Sequence, residues 1–220
     1  MKRKRVQSAA EAVSGIFDGA VIMIGGFGRA GVAEVLLEAV SEMGVRDLTI
    51  INNNSGYGET GIAKLVKAGC ARKLICSFPW AKDAYHFRNA YNEGRVDLEI
   101  VPQGTLAERI RAAGAGLGGF LTHTGLGTEL ADGKQVIEVG GRQYLLEVPI
   151  AADFALVRAD KVDPLGNLTY RKAARNFNPL MAMAGKTVVV EANQEVPLGS
   201  LDPECIITPG VFVDRYFIRP

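Results

Sequence analysis

Residues 21–31, VIMIGGFGRAG, constrain this chain more than any other stretch. Val21 to Ile24 are apolar and continuous, the pattern of a buried strand. Gly25, Gly26, Gly28 and Gly31 follow at once, and Val32, Val35, Leu36 and Ala39 then recur at helical spacing. Strand, glycine turn and helix in that order present backbone N–H groups to an anionic ligand. The Gly26, Gly28 and Gly31 spacing also matches the dinucleotide fingerprint GxGxxG. That fingerprint needs an acid at the end of the second strand to hold the ribose hydroxyls. Here the second strand ends in Ile50-Ile51-Asn52-Asn53-Asn54, and Asp47 lies at its other end. A nicotinamide-dependent oxidoreductase therefore lacks its expected carboxylate. A purely structural turn and a loop that approaches another ligand both remain.

The rest of the first half repeats the alternation. A helix around Ala9–Ile16 precedes the first strand, and the helix after the glycine turn runs to about Met43, stopping at Gly44. Strands are expected at Asp47–Ile51, Lys73–Ser77 and Val96–Val101. Helices are expected at Glu59–Ala68 and at Asp83–Glu93, the latter N-capped by Asp83. Thr105 and Glu108 form a capping box that opens a helix to about Ala113, leaving Pro102-Gln103-Gly104 as a loop. The second half is richer in strand. Gln135–Val139 and Arg142–Val148 flank Gly140-Gly141, a hairpin signal. Further strands are expected at Asp153–Ala159, Leu168–Tyr170, Lys186–Glu191 and Val211–Phe217, with a helix at Ala173–Ala184 that Pro179 kinks or breaks. No linker divides the chain. The expectation is one α/β domain over residues 1–220: an open, mainly parallel sheet with helices on both faces, plus a strand-rich second half carrying the hairpin.

Composition narrows the function classes. The formal net charge is +1, which gives no case for a nucleic-acid partner. No apolar run approaches the roughly 20 residues of a membrane span, and the basic start MKRKR is not followed by a signal-peptide core. A soluble cytoplasmic protein is expected. Cys70, Cys76 and Cys205 form no CxxC, and His86 and His123 give no zinc spacing, so no metal is expected and the thiols read as small buried side chains.

Open parallel sheets bind ligands beyond the carboxyl ends of their strands. Four loops should meet there: the glycine loop, Asn52–Gly58, Ser77–Trp80 and Pro102–Gly104. Asn turns and a solvated Gln103 are the bland alternatives. No GxSxG nucleophile occurs. His86 sits in a helix between aromatics, and His123 has no evident partner. Glu59 is the one carboxylate near the Asn loop. Arg171, Lys172 and Arg175 form either a phosphate site or a solvated basic face.

Longer motifs add to this. FDGAVIMIGGFGRAG, DLTIINNNSG, VPQGTLAERIRAAGAG, ADFALVRADKVDPLGNLTYRKAARNFNPLMAMAGKT and ITPGVFVDR occur in one order over nearly the whole chain. In this the chain resembles the A subunits of family I CoA-transferases, the 3-oxoacid group. The stretch CSFPWAKDAYHF resembles members that act on 3-oxoadipate in the breakdown of aromatic compounds, although members using acetoacetate share most motifs.

The resemblance implies a reaction. CoA moves from succinyl-CoA to a 3-oxo acid through a glutamyl-CoA thioester, by ping-pong covalent catalysis. The nucleophilic glutamate is expected on the family's B subunit, in an assembly of two A and two B chains, with no bound cofactor and a CoA thioester as substrate. Glu59 is then a loop residue. Gly25, Gly26, Phe27, Gly28, Arg29, Ala30 and Gly31 match the family's CoA-binding segment. Gln103 matches a glutamine beside the reactive carboxylate, and Asn53 and Asn54 match paired asparagines near it. One departure stands out. Many relatives read GIPE where this chain reads Gly31-Val32-Ala33-Glu34, and the missing proline is expected to alter the first helical turn.

Overall fold

The computed structural model describes residues 4–220. Of the basic start, only Lys4 and Arg5 fall within that range. Arg5 pairs with Glu195 at 3.0 Å.

A short helix α1 (Ala9–Val13) leads into strand β1 (Val21–Ile24). Then come α2 (Glu34–Glu42), β2 (Leu48–Ile51), α3 (Ile62–Lys67), β3 (Ala71–Cys76), α4 (Tyr85–Asn92), β4 (Asp97–Ile100) and α5 (Gln103–Gly114). Strands β5 (Phe120–Thr122), β6 (Val136–Val139) and β7 (Arg142–Glu147) form a separate antiparallel sheet in the order β5-β7-β6. The chain then re-enters the main sheet with β8 (Ala152–Val162) and β9 (Leu168–Thr169), followed by α6 (Asn178–Ala184), β10 (Gly185–Glu195) and β11 (Arg215–Ile218).

The main sheet runs β11-β10-β8-β1-β2-β3-β4, and every pair along that path is parallel; β9 adds an antiparallel flap to β8. Alternation of side chains across the strands sorts the core into two layers. Ile22 and Ile24 pack with Leu36, Leu37, Leu65 and Phe87 on one face. Met23 packs with Leu106, Ile110 and Met181 on the other. Helices therefore cover both faces, α1 to α4 on the first and α5 and α6 on the second, which is why the strands are apolar on both sides. The sequence order of strands reverses between β1 and β8. That switch point is where such sheets open a crevice beyond their carboxyl ends.

Several expected details differ. Helix α4 starts at Tyr85 with Ala84 at its cap and no side-chain cap. Asp83 instead gives its carbonyl oxygen to the Gly58 N–H, at 2.9 Å. Helix α5 opens at Gln103 after Pro102, so Thr105 and Glu108 form no capping box; Thr105 is buried and Glu108 pairs with Arg111. Pro179 begins α6 rather than breaking a longer helix, because a proline in the first turn forfeits no intrahelical bond. The last strand is shorter than expected, since Gly210–Phe212 is a 3-10 turn. Cys70 and Cys76 are buried, and burial pushes the Cys76 thiol up to about 12, but Cys205 is exposed. The Gly140-Gly141 hairpin forms as read, with both residues at positive φ.

The first turn of α2, which lacks the proline of the GIPE motif, is capped from a distance. Ala33 caps the helix without a side-chain bond. Glu191, fully buried on β10, accepts from the Val35 and Leu36 N–H groups at 2.8 and 3.2 Å. Arg158 lies 3.5 Å from its other oxygen. Burial pushes the Glu191 carboxyl up, while the Leu36 N–H and the Arg158 charge pull it down.

Candidate active site

The glycine loop leaves β1 beside β8. Gly25 N–H bonds the Leu156 carbonyl at 3.0 Å, and Phe27 and Ala30 exchange backbone bonds across a tight turn. Two asparagines from the segment leading into α6 hold this turn. Asn176 accepts from the Gly26 N–H at 3.1 Å and donates to the Ala30 carbonyl at 3.0 Å. Asn178, fully buried, donates to the Gly31 and Ala174 carbonyls and accepts from the Arg158 N–H. A Cβ on Gly25 would lie 1.9 Å from the Asn178 Oδ1, and one on Gly31 would lie 2.4 Å from the Ala174 carbonyl oxygen. These two glycines thus serve close approach by the protein's own amide. Gly25, Gly26 and Gly31 are buried; Phe27, Arg29 and Ala30 are exposed, and Gly28 is partly so.

The asparagine run after β2 is buried throughout. Asn52 donates to the Ile24 carbonyl at 2.5 Å and accepts from the Asn54 N–H. Asn54 accepts from the Gly56 N–H and reaches the Gly28 carbonyl at 3.5 Å. These two residues tie the loop to the glycine turn. Asn53 points elsewhere: its Nδ2 donates to the Gln103 Oε1 at 2.9 Å. Gln103 stands in the first turn of α5, where helical N–H groups have no intrahelical acceptor and the helix dipole is positive.

A cleft of about 330 Å3 lies above these groups, walled by Phe27, Gly28, Asn53, Tyr57, Ser77, Phe78 and Gln103. The Ser77 Oγ is buried and has no hydrogen-bond partner among the described residues. Phe27 and Phe78 are about half exposed at its edge, at 49% and 55%. The four loops named from the sequence do converge, and what they bring together is two amides, a hydroxyl and aromatic faces. No lining residue carries a carboxylate.

Glu59 lies outside that lining. Lys67, Tyr85 and His86 bond it at 2.7, 2.7 and 2.8 Å and hold its carboxyl down at about 2. A carboxylate so tied, on an exposed edge, is a poor nucleophile. His86 is its partner there, and His123 is exposed and lines no cleft described above. The sequence reading placed Ser77 only as the start of a converging loop and missed Asn176, Asn178 and Glu191. The asparagines lie in the same stretch, TYRKAARNFN, as the cations Arg171, Lys172 and Arg175. Among the described residues no group of three or more His, Cys, Asp or Glu could hold a metal ion, and no helix is long and apolar enough to cross a membrane.

A doubly covered parallel sheet with amides gathered beyond the carboxyl ends of β1 to β4 defines an α/β protein that carries one wall of a small-molecule site. Comparison with known proteins narrows this. The coenzyme A transferase family matches residues 6–217. The chain is 57% identical to the A subunit of 3-oxoadipate CoA-transferase from Pseudomonas putida, covering 98% of this chain and 93% of that one. It is 52% identical to the protein of the same name from Acinetobacter baylyi, over 96% and 93%. Among solved structures, an acyl-CoA transferase of Escherichia coli O157:H7, in a thioester complex with CoA, superposes with a TM-score of 0.85 at 25% identity. That match covers 99% of this chain and 48% of the other, so this chain spans about half its length. The chain belongs to the coenzyme A transferase family and is a subunit of such an enzyme. The fingerprint reading as a nicotinamide site is overturned by this membership and by the Asn run where its acid should stand.

Proposed function

We propose that this chain is the A subunit of a heteromeric enzyme that moves CoA from succinyl-CoA to a 3-oxo acid, with 3-oxoadipate as the acceptor. One observation carries the reading: the Asn53–Gln103 amide pair opens onto a cleft that has no carboxylate of its own. The relatives with 57% and 52% identity, both named for 3-oxoadipate, support the acceptor. A relative from Bacillus subtilis named for a 3-ketoacid, 46% identical, keeps acetoacetate as the second acceptor to test.

In this reading the B subunit supplies a glutamate to the cleft, and two A and two B chains assemble. That carboxylate attacks the acyl-CoA carbonyl and forms an anhydride, expelling CoA thiolate. The thiolate attacks the anhydride, leaving a glutamyl-CoA thioester and free succinate. The 3-oxo acid then runs the sequence in reverse. Gln103, with its carbonyl held by Asn53, turns its Nε2 to the reacting oxygens. It orients the glutamate without neutralising it and stabilises the oxyanion. The exposed part of the glycine turn, Phe27 to Ala30, contacts the CoA thioester, while Gly25, Gly26 and Gly31 shape that turn from beneath. Asn54 holds the turn through Gly28. The chain acts as one domain, needs no bound cofactor, and works in the cytoplasm.

The test is reconstitution. The purified chain alone is expected to be inactive, and adding the B subunit should give succinyl-CoA-dependent transfer with parallel-line, ping-pong kinetics. Turnover by the chain unaided would overturn the reading. A higher kcat/KM for acetoacetate than for 3-oxoadipate would overturn the acceptor alone.

A further inference from the structure

We propose that a groove on the far side of the glycine turn is a phosphate-ester site that takes the phosphorylated end of the CoA substrate. It rests on the function proposed above and places a part of the substrate that the cleft does not reach. The groove measures about 420 Å3, and Arg29, Arg158, Asp160, Arg171, Lys172 and Asn193 line it. Four cations and one carboxylate thus line it, and Arg158 also lies 3.5 Å from the buried Glu191 beneath. Arg158 is fixed, donating to the Asn193 Oδ1 at 2.8 Å and to the Val32 carbonyl at 3.3 Å. Asp160 is held by a neutral group, accepting from the Asn193 Nδ2 at 3.0 Å. Arg171 and Lys172 are exposed, and among the described residues their side chains make no hydrogen bond or ion pair.

The backbone adds an independent sign. Lys172 has a φ of +51°, in the left-handed region that few non-glycine residues occupy. It lies in the segment that clamps the glycine turn, four residues before Asn176. That segment sets a lysine and an arginine, both without partners among the described residues, at the flank of the turn. An ammonium and a guanidinium side by side suit a phosphate, which takes a point charge and a planar fork together.

Position supplies the ligand. Phe27 and Gly28 wall the cleft, and Arg29, Ala30 and Gly31 wall the groove, so a single tight turn separates them. A CoA thioester has its reacting carbonyl at one end, its phosphates at the other, and an uncharged arm between. Such an arm crosses the turn at Gly28, where an added Cβ would meet nothing within 4 Å.

The experiment uses the double variant Arg171→Gln/Lys172→Gln in complex with the B subunit. KM for succinyl-CoA is expected to rise about tenfold, the loss of a charge-assisted contact. KM for succinyl-pantetheine, which carries no phosphate, should stay as it was, and the difference should shrink with added salt. Succinyl-dephospho-CoA separates the sources: a penalty that persists assigns the pyrophosphate, and one that vanishes assigns the 3′-phosphate. Equal penalties for CoA and pantetheine donors, or none for either, overturn the site while leaving the transferase reading intact. If no CoA thioester turns over, that reading fails and the site is judged by titrating adenosine 3′,5′-bisphosphate. Saturable binding lost in the double variant upholds it, and binding equal in both proteins overturns it.

Discussion

The Asn53 side-chain amide donates to the Gln103 side-chain carbonyl across 2.9 Å, joining the loop after β2 to the first turn of α5. Fifty residues separate the pair. The bond occupies the acceptor of Gln103 and leaves its Nε2 to the cleft. It converts a flexible exposed glutamine into a donor of fixed direction, which is what stabilising a developing charge requires.

Gln103→Ala should therefore lower kcat of the reconstituted complex by about 100-fold, the usual loss of one oxyanion donor. Asn53→Ala leaves the donor present but free to rotate, with an expected loss of about tenfold. The double variant should cost less than the product of the two, because both act through one group. Size-exclusion chromatography beside the kinetics gives the decisive comparison. Assembly falling in step with turnover would mean a structural role.

The two kinds of glycine in the turn should separate in unfolding experiments. Gly25→Ala drives a methyl into Asn178 and should destabilise by about 3 kcal/mol or leave the protein insoluble. Gly28→Ala meets open space and carries only the left-handed backbone cost at φ +61°, about 1 kcal/mol. Urea midpoints in the reverse order would refute the inward-facing role of Gly25.

Glu191 is the tertiary cap of α2. Removing it in Glu191→Ala leaves two helix N–H groups without their acceptor and the Arg158 guanidinium without its nearby countercharge, at a cost of about 3 kcal/mol. Glu191→Gln keeps one acceptor oxygen and should cost less. Equal midpoints for wild type and the alanine variant in urea unfolding would remove the cap from the account of this helix.

Asp153 gives a pH test. The Val21 N–H, and after it Lys186, hold the Asp153 carboxyl below the usual range. A depressed carboxyl contributes stability that is present above its unfolded pKa and is lost as pH falls through the folded value. Asp153→Asn should thus destabilise by about 1 kcal/mol near neutrality. The gap to wild type should close as pH falls below the ordinary aspartate value of about 3.9. A gap that stays constant into acid would assign the effect to packing.

Much of this architecture was legible in local sequence. Val21–Ile24 and the spacing of Val32, Leu36 and Ala39 were readable because strand burial and helix periodicity are short-range patterns. The same holds for Gly140-Gly141, where both residues must take positive φ. The first half read well because its strands and helices alternate, and alternation implies a parallel sheet. Expected caps at Asp83 and Thr105 failed because each helix starts elsewhere: α4 after Ala84, with the Asp83 carbonyl tied to Gly58 from another loop, and α5 two residues before Thr105, after Pro102.

The site divided differently. Gln103, Asn53 and the glycine loop stood out in the sequence as residue types at strand ends, and the longer motifs supplied the family. What each does depended on partners far along the chain. Asn178 bonds Gly31 across 147 residues, and Glu191 caps α2 across 156. Such contacts have no sequence period, because they are set by where β8 enters the sheet beside β1 and β10 enters beside β8. The sequence by itself determined the elements, the glycine turn and the family. Only the tertiary structure decided that Gly25 and Gly31 face inward onto an asparagine. It alone set Asn53 on Gln103 and left Arg171 and Lys172 without partners among the described residues at the flank of the turn. The physical reason is that helix and strand formation are local, whereas the satisfaction of a buried polar group depends on what the fold brings to it.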